Sequence, residues 1–173
     1  MKIMDFKEVV QGRYSCKKFS EKSIEPEKLQ SILEAGRLAP TAKNLQEQHI
    51  YVLQSPKALG IVDAHTPCRY GAGTVLAVAY NKETVFTYPG GLHTSGVEDA
   101  TIVATHLALA AYNEGIDSCW LNFFDPEALA KALDLPETEE IVMLLDLGYA
   151  ADGVSPLPNH THRKPLSETV TYL

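Results

Sequence analysis

The sequence predicts an α+β or α/β domain of three layers with about four or five strands. Two observations carry that expectation. Four short runs rich in apolar, β-branched and aromatic residues, "HIYVLQS", "TVLAVAY", "DSCWLNFF" and "EIVMLLDLGYA", are spread along the chain and have the character of strands. Between them stand helical segments with their own start and stop signals, able to cover a sheet. At 173 residues the chain is long enough to bury a continuous core, and 1–173 is read as one domain.

The elements follow in order. "MDFKEVVQGR" reads as a short helix closed by Gly12. In "SIEPEKLQSILEAGRLAP", Pro26 suits a first helical turn, Leu29, Ile32, Leu33 and Leu38 form an apolar stripe, and Pro40 stops the helix. "HIYVLQS" is a strand bounded by Pro56, and "TVLAVAY" is apolar enough to be buried on both faces. Residues 81–96 show no period, and Pro89-Gly90-Gly91 marks a loop. From Val97 to Asn113 runs a helix apolar almost all round, terminated by Gly115. Such a helix is either central to its domain or sandwiched between two subunits. After the third strand, "DPEALAKALDL" is a helix capped by Asp125 with Pro126 at its first position. "EIVMLLDLGYA" is a fourth, strongly buried strand. The segment from 156 onward is proline-rich and reads as an extended arm ending in a strand-like "TVTYL".

Charge and cysteine usage exclude several classes. A net charge of −7 argues against nucleic-acid or anionic-membrane partners, which favour broad basic faces. The longest apolar run, near "ATIVATHLALAAY", falls short of a bilayer span, and the N-terminus has no signal-peptide pattern. Three widely spaced cysteines without a CxxC fit a reduced cytoplasm rather than a disulfide framework or structural zinc. No GxGxxG, Walker loop, HExxH or GxSxG occurs, so any redox cofactor is held without a Rossmann turn. His93, His106, His160 and His162 lack carboxylate or cysteine partners at ligand spacing and are read as ordinary histidines, with no metal site.

Against that acidic background "GRYSCKKF" is a cationic knot. If extended, it puts Arg13, Ser15 and Lys17 on one face, where a guanidinium, a hydroxyl and an ammonium suit a phosphate and a second electron-rich group. The same residues also fit a solvated basic turn. "HTHRKP" repeats the theme with Arg163 and Lys164. In "LAPTAKNLQ", Thr41, Asn44 and Gln46 are compact donors and acceptors that can read the edge of a planar heterocycle or simply cap the chain as it leaves a helix.

Four segments in this order resemble the nitroreductase family of flavin-dependent oxidoreductases. "GRYSCKKFSEKSIEPEKLQSILEAGRLAPTAKNLQ" is similar to its N-terminal R-x-S-x-[RK] run, helix and A-P-[ST]-x-x-N-x-Q signature. "GVEDATIVATHLALAAYNEGIDSCWLNFFDPEAL" is similar to its central helix and following strand, "LLDLGYA" to its closing strand, and "RKPLSETV" to its C-terminal arm. The resemblance implies an α+β, three-layer α/β/α fold with a mostly antiparallel sheet, in an intertwined homodimer holding two FMN molecules at the subunit interface, residues 156–173 packing on the partner. It implies that Arg13 and Ser15 hold the FMN phosphate and ribityl region, with Arg163 closing on the phosphate and Tyr14 packing nearby through its backbone. Lys17 would reach the N1 and O2 edge of the ring. Pro40, Thr41, Ala42, Asn44 and Gln46 would contact the flavin, in part across the interface. Trp120, Leu121, Asn122 and Phe123 would cover the opposite face, and Lys17, Asn122 and Phe123 are the candidate catalytic residues. The departures are a short middle region, Glu47 and Gln48 where the family has its usual tryptophan, and Thr161 where a Lys or Arg often precedes the tail arginine. The expected activity is NAD(P)H-dependent, FMN-mediated reduction of nitroaromatic, quinone or related planar acceptors by ping-pong kinetics. The alternative is an FMN carrier or sensor with little turnover.

Overall fold

The computed structural model describes residues 4–173. Its elements are α1 (Phe6–Gly12), α2 (Pro26–Arg37), β1 (Gln48–Leu53), α3 (Pro56–His65), β2 (Thr74–Asn81), α4 (Gly96–Asn113), β3 (Asp117–Leu121), α5 (Pro126–Ala132) and β4 (Glu139–Gly148). Helices α2, α3 and α5 each begin with a proline, where a missing N–H is no loss and the fixed φ suits the helix. Asp125 caps α5 by accepting from Glu127 N and Ala128 N. Helix α4 ends at Gly115, whose φ of +72° lets the chain turn so that Ile116 N donates to Ala111 O at 2.8 Å.

The sheet has the order β1-β2-β4-β3, with every neighbouring pair antiparallel. Alternation along the central strands divides the interior into two cores. Leu76, Val78, Met143, Leu145 and Leu147 join α2 and α4 on one face; Val75, Ala77, Ala79 and Leu144 join Val62 of α3 and Leu129 of α5 on the other. The expected helix–sheet–helix layering is therefore present. A register shift between Val78 and Ala79 leaves Val142 of β4 as an extra residue. This bulge flips the strand, so Ile141 and Met143 lie in opposite cores.

Three features depart from expectation. Helix α3 lies where the sequence predicts only a boundary at Pro56; Ser55 caps it by accepting from Ala58 N at 3.1 Å and Pro56 opens it. The strand predicted over "DSCWLNFF" stops at Leu121, leaving Asn122 and Phe123 beyond its end. "TVTYL" forms no strand; a 3-10 turn at Leu166–Glu168 precedes it and its residues are exposed. The middle loop folds into a tight hairpin with Thr87 bridged to Thr94.

Helix α4 positions everything that follows. Its face of Ala100, Val103, Ala104, Leu107, Ala108 and Ala111 is buried, and the small alanines let it sit close to the sheet. Val97 and Ile102 are apolar and exposed. No helix among the described residues is long and apolar enough to cross a membrane.

Candidate flavin site

The cationic knot leaves α1 and runs beside β3. Ser15 bridges Ser118 in parallel, and Cys16 N donates to Ser118 O at 2.9 Å. Alternation then separates the side chains. Arg13 and Ser15 turn to the α4 side, while Tyr14 and Cys16 turn into the second core. Burial, then Asp117 and Cys16, raise the Tyr14 hydroxyl above its ordinary pKa. Burial also raises Cys16, and it combines with Asp146 to push Cys119 up to about 11. Both thiols are therefore protonated at neutral pH and supply no nucleophile from behind the site.

Arg13 and Ser15 open into a cleft of about 310 Å³, bounded by Thr105, Ala108 and Leu109 of α4, Ser118 and Trp120 of β3, and Leu145 of β4. This volume is at the lower end for small-molecule sites. The spacing 105, 108, 109 places the α4 residues on one helix face. No carboxylate lines the cleft, and Arg13 makes no ion pair among the described residues. A free guanidinium, three hydroxyls and an apolar wall of Trp120, Leu109 and Leu145 fit a ligand with an anionic end, a polyol and a planar ring, which is the chemistry of FMN. A larger groove of about 420 Å³ has Asp125, Glu127, Glu139 and Glu140 in its walls against Lys82, the wrong sign for a phosphate.

Trp120 is held in place. Its indole N–H donates to Asn122 Oδ1 at 2.5 Å, and Asn122 Nδ2 donates to Val142 O at 2.8 Å. The carbonyl that the β4 bulge frees thus anchors the amide that orients the indole. Leu121 is buried in the second core and Phe123 is 72% exposed, so of residues 120–123 only Trp120 lines the cleft.

The remaining candidates lie elsewhere. Lys17 does not line the cleft; its ammonium is 5.9 Å from the Tyr70 ring centroid. The loop from Pro40 to Gln46 meets α4 at Asp99, where both carboxylate oxygens accept from Ala42 N at 3.0 Å. Asp99 is six residues before Thr105, or about 9 Å along the helix. In this loop Thr41 Oγ1 accepts from Gln46 N at 3.0 Å, and Gln46 Nε2 donates to Asn44 O at 3.3 Å. Lys43, Asn44 and Gln46 have φ of +52°, +57° and +55°, a costly conformation for residues with a Cβ. Pro40, Asn44 and Gln46 are exposed, and Thr41 and Ala42 half-buried. Arg163 donates to the carbonyls of His160 and His162 at 2.6 and 2.7 Å. The His160 ring lies edge-on to Tyr14, with centroids 6.3 Å apart, so the tail returns to the neighbourhood of the knot.

A sequence profile of the nitroreductase family matches residues 10–70 and 63–149. The chain belongs to the nitroreductase family. A solved nitroreductase family protein of Clostridium difficile 630 is 32% identical, superposes with a TM-score of 0.91 and covers 98% of each chain. A nitroreductase-type structure from Exiguobacterium sibiricum 255-15, solved in complex with FMN, is 21% identical with a TM-score of 0.86, covering 100% of this chain and 99% of that one; at that identity the likeness speaks for the fold. A relative from Archaeoglobus fulgidus, provisionally named an NADH dehydrogenase/NAD(P)H nitroreductase, is 28% identical over 152 residues, 83% of this chain and 84% of that protein.

Sequence reasoning found one side of the cleft in this family member, Arg13, Ser15 and Trp120, and missed Thr105, Ala108, Leu109, Ser118 and Leu145. The helical spacing of the first three was available as a signal. It also missed Asp99 and Glu47, whose partners are distant in sequence. Among the described residues no group of three or more His, Cys, Asp or Glu is placed to hold a metal.

Proposed function

We propose that this nitroreductase family chain is an FMN-dependent oxidoreductase that takes electrons from NAD(P)H and passes them to planar acceptors such as nitroaromatics and quinones. The observation that carries the reading is the convergence of unpaired Arg13, three hydroxyls and the Trp120 wall in one cleft without a carboxylate. Bound FMN supplies the hydride chemistry, accepting from nicotinamide and then donating to the acceptor. Arg13 grips the phosphate through its planar fork. Ser15, Thr105 and Ser118 offer hydroxyls to the polyol, and Trp120, Leu109 and Leu145 keep water from one side of the ring. Lys17 is assigned to the pyrimidine edge, where a cation favours the reduced state; its flexible stem allows it to leave Tyr70. A single site open to both substrates in turn would give ping-pong kinetics.

The whole chain acts as one FMN-binding domain in a cytoplasmic homodimer. Residues Pro40, Thr41, Ala42, Asn44 and Gln46 complete the site in part from the partner, and 156–173 form the arm that packs on it with Arg163 near the phosphate. In that assembly the partner would cover exposed apolar residues such as Val97 and Ile102 of α4 and Leu166 and Tyr172 of the tail.

The absorption spectrum of the purified protein tests the reading, followed by anaerobic addition of NADH or NADPH. A yellow protein bleached by nicotinamide and re-oxidised by a quinone is expected. A colourless preparation that does not take up added FMN overturns it, and bound FMN that stays oxidised favours the carrier or sensor. Arg13→Ala is expected to weaken FMN binding by about ten- to a hundredfold, the equivalent of a charge-assisted contact of about 1.5–3 kcal/mol. Titration of the cofactor-free variant checks this, and unchanged affinity removes Arg13 from the phosphate.

A further inference from the structure

Two carboxylates with no role in the cleft are buried together at the foot of α4. Glu47 is 5% exposed and Asp99 is 4% exposed, and Ser95 ties the two together: its hydroxyl donates to Glu47 and its carbonyl accepts from Asp99 N at 2.8 Å. Around them four chain segments meet. Asp99 accepts from Ala42 N with both oxygens. Glu47 Oε1 accepts from Ser95 Oγ at 3.1 Å, and Ser95 Oγ accepts from Phe86 N of the middle hairpin at 3.2 Å. Glu47 O accepts from Asn81 N at the end of β2. Glu47 Oε2 has no donor at all.

An orphaned carboxylate oxygen beside a second carboxylate identifies what is needed. Two adjacent buried carboxylates cannot both ionise, and a proton on Glu47 donated to Asp99 satisfies the orphan and removes the repulsion. We propose that Glu47 holds a proton that it donates to Asp99 and that the two together pin the 41–46 loop, so that loss of the Glu47 proton as pH rises releases the loop. The extension to cofactor retention rests on the FMN reading; the pin itself does not.

The surroundings support this assignment. Burial, then the contact with Asp99, raise the Glu47 pKa above its ordinary value, against the lowering effects of its backbone and Ser95 contacts. The helix N-terminus at Gly96 stabilises one negative charge, not two in contact. Of the neighbouring groups, Tyr88 donates its hydroxyl to Glu98, and Lys43, next to Ala42 in the chain, holds its ammonium 4.2 Å from the Phe86 ring centroid. Neither provides the second cation that a doubly ionised pair requires. The pinned segment is also the one with three strained residues, Lys43, Asn44 and Gln46. Strain of this kind persists only while surrounding contacts enforce it.

The sign follows from the direction of the shift. The pin is complete while Glu47 is protonated and weakens as pH rises through the elevated Glu47 value. The test is amide hydrogen exchange at Ala42 and Gln46, read by NMR on cofactor-free protein from mildly acid to mildly alkaline pH, normalised to the helix amides of α2. In wild type these two amides are expected to lose about ten- to a hundredfold protection as pH rises, the loss of one charge-assisted contact. Glu47→Gln, which can still donate to Asp99 but cannot ionise, is expected to keep that protection throughout. Asp99→Asn serves the same purpose if Glu47→Gln does not fold. The same pH step in wild type and variant, or no step in either, overturns the shared proton. FMN dissociation followed by fluorescence separates the two readings. A protection step in a protein that never takes up FMN upholds the pin and defeats the flavin assignment, whereas FMN bound equally at every pH with no step defeats the pin alone.

Discussion

Asp146→Asn is expected to stabilise the protein at neutral to mildly alkaline pH, with the advantage gone by pH 5. Asp146 lies in the middle of β4, opposite Val75 of β2 and Cys119 of β3, with no exposed surface and no donor to either oxygen. Burial pushes its pKa up from 3.8 to about 9; Cys68 and Asp63 add to the shift and Arg69 opposes it. Arg69 cannot rescue the charge because its guanidinium is committed to Asp63 at 2.6–2.7 Å and to Ala72 O. In the folded protein the carboxyl is neutral at pH 7, but in the unfolded chain it ionises freely. The folded pKa is the raised one, so stability from this group is complete below 3.8 and is lost as pH climbs to about 9. At about 1.4 kcal/mol per pH unit, the cumulative cost by pH 7 has an upper limit of about 4 kcal/mol. Asparagine keeps the volume and abolishes the titration, though its amide is left without partners, which costs about 1–3 kcal/mol. A net gain of about 1–3 kcal/mol near neutrality follows, or about 2–4 °C in melting temperature for each kcal/mol. Thermal melts of both proteins across this range check it. A difference that does not grow with pH would show that Asp146 does not titrate between the two states.

The same residue illustrates what the sequence could and could not disclose. "EIVMLLDLGYA" is legible as a buried strand because six of the eight positions before Gly148 are apolar, but a single aspartate inside it says nothing of its partners. Helix α2 is legible from Pro26 and its apolar stripe, and α5 from the Asp125 cap and Pro126, because such signals act within a turn or two. Helix α3 carries a comparable start signal in Ser55 and Pro56, but it follows directly on a strand and is masked by it. Arg13 and Ser15 share a face as the chain runs out beside β3; Lys17 leaves it where the pairing with β3 ends at Cys16 and the chain turns to meet Ala150 and Ala151. The all-round apolar character of α4 was visible, and its origin is now divided between a covered face and the exposed Val97 and Ile102. The contacts that hold the 41–46 loop join Ala42 to Asp99 and Glu47 to Ser95. They join positions about fifty residues apart, and no local periodicity reports a contact of that kind.

Gly96→Ala is expected to cost about 2–3 kcal/mol, whereas Gly12→Ala stays within about 1 kcal/mol of wild type. Contact distance alone predicts the opposite order. A Cβ on Gly12 would meet the Tyr112 hydroxyl at 2.1 Å, and one on Gly96 would meet Cε2 and Cδ2 of Tyr80 at 2.2 and 2.3 Å. The difference lies in what must move. Tyr112 is only half-buried and meets the new methyl with the far end of its side chain, which a small χ rotation withdraws; alanine also favours the end of α1 by up to about 1 kcal/mol over glycine. Tyr80 is 7% exposed, meets it with the body of its ring, and belongs to a strand paired on both sides, to Gln48 and to Glu140. The start of α4 must lift instead. That movement carries Ser95 and Asp99 away from Glu47 and Ala42, so the Gly96 variant loses protection at the Ala42 amide along with about 4–12 °C of melting temperature. Melting curves and exchange rates measured on both variants decide the matter: equal losses at the two positions would place the tolerance in the helix ends rather than in the freedom of the tyrosine each glycine faces.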